Sequence, residues 1–109
     1  MAVAYKVLGQ AKPSATTLTT LYTVPALTQT VGSTIVICNQ SGTATAYRVS
    51  VRVAGAADTP KQYIAYDAPI AGNETQSFTI GVTLATTDVV SVYNTLATLS
   101  FNLFGSELT

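Results

Sequence analysis

Five carboxylates, Asp58, Asp67, Glu74, Asp88 and Glu107, are the only acidic side chains in this 109-residue sequence. They are spread singly along the chain, in or beside segments that read as turns, where Asp commonly bends and caps the backbone. Glycoside hydrolysis needs two such groups about 5–10 Å apart, and nothing in their spacing pairs them. The chain has no His, so it lacks the commonest general base and metal ligand, and a Ser–His–Asp triad is excluded. Calcium sites need clustered oxygen ligands, and no D-x-D-type run occurs. Cys38 is the single cysteine. It rules out an intrachain disulfide and reads as a small hydrophobe within "TIVICN", with no His to activate its thiol. The expectation is a protein that is not an enzyme and uses no cofactor or metal.

The remaining residues of chemical interest point to contacts. Arg48 and Arg52 fall on one face of the same predicted strand, a visible concentration among five basic residues. Two readings stay open: they blunt aggregation on a solvent face, or they pair with a carboxylate of a neighbouring subunit. Tyr63 and Tyr66 in "YIAY" have amphipathic rings that suit stacking on a sugar; the plainer reading packs one ring inward and leaves the other at an interface. Arg48, Arg52, Tyr63 and Tyr66 are therefore the candidate interface residues. "NQS" at Asn39 and "NET" at Asn73 match the glycosylation pattern but read as turns.

The elements that must position these residues are strands. "AYKVLGQ" reads as a first strand ending at Gly9, followed by a loop at Pro13. "TLTTLYTVP" offers Leu18, Thr20, Tyr22 and Val24 on one side. "STIVICN" is apolar on both faces, as in a central strand covered on both sides, and "QSGT" reads as a turn with Gly42 free to take positive φ. Residues 33–55 then form an expected hairpin. From Thr45, Tyr47, Val49, Val51 and Val53 alternate with Ala46, Arg48, Ser50 and Arg52. "KQYIAYD" is a further short strand. "QSFTIGVTL" points Phe78, Ile80, Val82 and Leu84 inward, and "DVVSVYNT" and "TLSFNLFG" close the series, the latter with Leu99, Phe101 and Leu103 on one face. Seven to eight short strands with turn signals between them and no helical period predict an all-β fold. The expected form is an antiparallel β-sandwich occupying residues 1–109 as one domain, with a small β-barrel as the alternative.

Charged residues make up only 9% of the chain and net charge is zero, against roughly 25% charged residues in ordinary soluble domains. Copies of such a chain repel one another little, and its surface is prone to self-association. No basic cluster offers the footprint that phosphate backbones require, so nucleic acid is not an expected partner. No apolar run approaches the roughly 20 residues of a membrane span, and "MAVAYKVLGQ" does not read as a signal peptide.

Taken together, "YKVLGQAKPSATTLTTLYTVP", "STIVICNQSGTATAYRVSV", "YIAYDAPIAGNETQSFTIGVTLATTDVVSVY" and "LSFNLFGSEL" resemble a group of small virion structural proteins of tailed phages, including phages of cyanobacteria. The resemblance covers nearly the whole chain. It implies a β-sandwich subunit that decorates or cements a capsid, or alternatively a neck, tail or fibre subunit; a glycan-binding receptor module, resting on Tyr63 and Tyr66, is the competing reading. The resemblance also implies partners in the major capsid or other virion proteins; the low charge and zero net charge themselves predict a homo-oligomer, with a trimer favoured over a dimer. The implied location is the virion, assembled in the host cytoplasm, with no catalytic residues to carry over.

Overall fold

A computed structural model of the chain describes residues 2–109. Among these residues nine strands form two antiparallel sheets that face each other as a sandwich and do not close into a barrel. In chain order they are β1 (Val3–Ala11), β2 (Thr19–Thr23), β3 (Gln29–Asn39), β4 (Thr45–Arg52), β5 (Tyr63–Ile70), β6 (Thr75–Phe78), β7 (Val82–Leu84), β8 (Val89–Asn94) and β9 (Leu99–Leu108). Sheet A runs β1-β9-β3-β6, with β7 also paired to β3; sheet B runs β2-β8-β4-β5. The only helical turns described are two short 3-10 segments, Val53–Gly55 and Pro60–Gln62.

The core lies where the inward positions of both sheets meet. Ile35, Ile37, Leu99, Phe101 and Leu103 from sheet A pack against Tyr47, Val49, Val90 and Val92 from sheet B. Tyr47 is completely buried; its ring meets Phe101 edge-on at 6.2 Å and its hydroxyl donates to Gln76 Oε1 at 2.6 Å. That bond satisfies the one polar atom of a ring whose burial drives packing.

Alternation within a strand is followed closely in β9 and over most of β4, whereas partnership between strands is not what the sequence suggests. β3 and β4 do not form a hairpin. β3 pairs with β9, β6 and β7, and β4 with β5 and β8, so residues 40–44 cross from one sheet to the other. Asn39 fixes this crossing: its buried amide donates to Thr43 and Ala71 carbonyls at 2.9 and 3.1 Å, and its Oδ1 accepts from Ser41 N–H. Gly42 does not adopt positive φ. The loop instead brings its carbonyl against Gly72, where a Cβ would lie 2.1 Å from the oxygen.

Four other expectations change. The ninth strand arises because "QSFTIGVTL" breaks at Gly81 (φ 61°) into β6 and β7, which leaves Phe78 and Ile80 exposed rather than inward. A bulge at Leu21 in β2 turns both Leu21 and Tyr22 into the interior. Val53 leaves the sheet and is 68% exposed, because β4 ends at Arg52 and the backbone turns. Finally, β3 is central, but Val36 and Cys38 are only half-buried, since no second layer covers the outer face of sheet A.

Strand length shapes the molecule. At about 3.4 Å per residue, the eleven residues of β3 and ten of β9 outrun every strand of sheet B, giving extents of 45 × 27 × 20 Å. At the projecting end of sheet A, Val3 to Val7 of β1 are all exposed.

Candidate functional site

Each of the five carboxylates is engaged within the chain. Asp88 accepts the Ala54 N–H at 2.9 Å through one oxygen and the Ala85 N–H at 3.0 Å through the other. Glu74 accepts from the Ala71 N–H and the Gln76 amide, and Asp58 accepts from the Tyr63 hydroxyl at 2.7 Å. Asp67 pairs with Arg48, Nε to Oδ1 at 2.7 Å. Glu107 pairs with Lys6 Nζ at 3.0 Å and accepts the Tyr22 hydroxyl, which also bonds Thr30. Among the described residues no three Asp, Glu or Cys side chains gather in a metal-binding group.

The two arginines, expected to act together, serve different ends. Arg48 lies on the outer face of sheet B, its guanidinium carbon 4.1 Å from the Tyr66 ring centre and 4.4 Å from that of Tyr93. Tyr63 meets Tyr66 edge-on at 5.1 Å. The hydrogen bond that Arg48 donates to Asp67 raises the Arg48 pKa further. The Tyr63 phenol is also raised, first by burial and then by its bond to Asp58. The carboxylate that Arg48 meets thus belongs to its own chain. Arg52 instead pins the segment 53–62 across sheet B: Nε donates to Ser91 Oγ and Nη1 to the Ala56 carbonyl, both at 3.2 Å. Under this strap Ser50 and Ser91, at outward positions of β4 and β8, are completely buried.

Three of the four candidate residues, Arg48, Tyr63 and Tyr66, are therefore brought together, and Arg52 is not. Tyr93, Asp67 and Asp58 complete the cluster. Tyr93 enters because β8 pairs beside β4 with Arg48 opposite Tyr93, a partnership that the sequence reading of "DVVSVYNT" as a strand does not supply. Tyr66 is 59% exposed, but the arginine covers one face of its ring.

A second surface lies on sheet A. Its five strands carry only two charged side chains, Lys6 and Glu107; they pair on the opposite face, Lys6 half-exposed and Glu107 reaching Tyr22 of sheet B. The outer face is left without charge. It exposes Val3, Tyr5, Val7, Val31 and Phe104, with Tyr5 86% exposed, beside Ser106 and a hydrogen-bonded Gln10–Asn102 pair. Together the five apolar side chains present on the order of 500 Å², as large as the biggest apolar patch of an ordinary monomer. On the open side of the sandwich a smaller cavity of about 70 Å³ is lined by Ile35, Val49, Ile64, Ala65, Phe78 and Ile80.

Comparison with protein-family models and with curated proteins gives no match to this chain.

Proposed function

We propose that the chain is a structural subunit of a tailed-phage virion, a capsid decoration or cement protein that packs against copies of itself and against the major shell protein. It is a structural rather than a catalytic component, located on the particle and added during assembly in the host cytoplasm. The observation that carries this reading is the outer face of sheet A, an apolar surface to which the five strands contribute no charged side chain. It agrees with the resemblance of the sequence to small virion proteins. The engagement of all five carboxylates in the chain's own bonds also suits a scaffold. A neck, tail or fibre position would use the same face. The glycan-binding reading is less well supported, because Arg48 already occupies one face of the exposed Tyr66 ring.

The test is co-sedimentation with tailed-phage particles assembled without this protein, at low and high salt. The purified chain is expected to bind and to remain bound at high salt, since an uncharged contact is little screened. Replacing Phe104 with Lys should abolish binding while leaving the fold intact. A chain that stays in the supernatant under all conditions would overturn the proposal.

A further inference from the structure

We infer that β1 is a self-pairing edge, through which two copies of the chain join sheet A to sheet A about a twofold axis at Tyr5. The inference deepens the assembly reading and rests on it for its context, but its evidence is the backbone rather than the apolar face.

A sandwich of two open sheets has four edges, and natural proteins blunt theirs with Pro, bulges, short strands or charge. Three edges here are treated in this way. β5 carries Pro69, Asp67 at φ 51°, and breaks in its register with β4. β2 has five residues with a bulge at Leu21. The remaining edge of sheet A is split into β6 and β7, of four and three residues. β1 is nine residues long and contains no Pro, and its register with β9 is regular from Val3 to Val7, with the bulge only at Leu8.

The ladder fixes which backbone groups are free. Ala2 and Thr109 exchange both hydrogen bonds at 2.9 Å. In an antiparallel pair such closely bonded positions alternate with unbonded ones, so Ala4 and Lys6 bond to β9 and Val3, Tyr5 and Val7 direct their N–H and C=O groups out of the sheet. The same three residues are exposed, and Lys6, the one charge on the strand, lies half-exposed on the opposite face, paired with Glu107. Because the other edges are blunted, the edge that a second copy offers in return is its own β1. Antiparallel pairing centred on Tyr5 places Val3 opposite Val7 and Tyr5 opposite its equivalent, satisfying three N–H and three C=O groups on each strand. The contact buries less than about 1,200 Å² in total, the range of weak, reversible complexes. The result is a concentration-dependent dimer, in contrast to the trimer that the sequence favours.

Sedimentation equilibrium and amide hydrogen exchange by NMR, both across a wide concentration range, test this. The expected result is a monomer–dimer equilibrium in which the Val3, Tyr5 and Val7 amides slow about tenfold where nine-tenths of the chains are paired. With Tyr5→Ala as the control for the lost ring, Tyr5→Pro removes an N–H that faces solvent in the monomer, a position where an edge strand tolerates proline. It should keep the wild-type circular dichroism and remain monomeric. Should that variant fail to fold, exchange in the wild-type chain still decides. A monomer at every concentration, an oligomer of any order whose three amides exchange at the monomer rate, or a folded Tyr5→Pro variant that dimerises like wild type would each overturn the inference. Particle binding is measured separately, so loss of edge pairing and loss of the virion reading are distinguishable.

Discussion

Glu107 ties the two sheets together at the end where β1 is otherwise exposed, and its environment gives the protein a defined pH response. The hydrogen bond from Tyr22 and then that from Lys6 hold its carboxyl below the ordinary 4.5. A depressed carboxylate contributes stability that is present above the unfolded value and lost as pH falls through the folded one. Tyr22 moves the other way: burial first, then its bond to Glu107, pushes the phenol from 10 up to about 12, so its contribution is present below pH 10 and lost as pH rises toward 12. Glu107→Gln should cost about 1.5 kcal/mol near neutral pH, the scale of a charged hydrogen bond. The gap in melting temperature between variant and wild type should then narrow below about pH 4.5. Thermal melts from pH 3 to 8 check this, and a constant gap would remove Glu107 from the account. None of this network was legible in the sequence, because Tyr22 and Glu107 are 85 residues apart.

At the scale of elements, period-two alternation located the strands well and named most of the core, from Tyr47 and Val49 to Leu99, Phe101 and Leu103. What alternation does not encode is partnership. A loop of five residues suits a hairpin and a crossing between sheets equally well, and only the buried amide of Asn39 distinguishes the two. The same gap explains the arginines: Arg48 and Arg52 share a face, yet one lies among tyrosines and the other beneath a strap whose position depends on Asp88 and Ser91. They should therefore differ on substitution. Arg52→Ala should lower stability by about 1 kcal/mol through its lost hydrogen bonds and speed amide exchange in residues 53–62. Arg48→Ala should change stability by less than about 1 kcal/mol, as a partly exposed ion pair does, and leave that exchange unchanged. Equal acceleration in both variants would mean that Arg52 does not hold the strap.

For the whole molecule, the sparse charge is arranged rather than merely low. Lys6 and Glu107 neutralise each other on the inner face of sheet A, Arg48 and Asp67 do so on sheet B, and the outer face of sheet A is left to apolar and hydroxyl-bearing side chains. Composition leads to the expectation of a surface prone to association; which face would carry it depends on the register of β1, β9 and β3. Electron cryo-microscopy of tailed-phage particles assembled in the presence of this chain tests the proposal most directly. The account predicts two-sheet density bound to the particle, with Tyr5, Val31 and Phe104 of sheet A against a neighbouring protein and the strap on sheet B away from that contact. Particles without such density, or density in which the outer face of sheet A is turned to solvent in every copy, would contradict it.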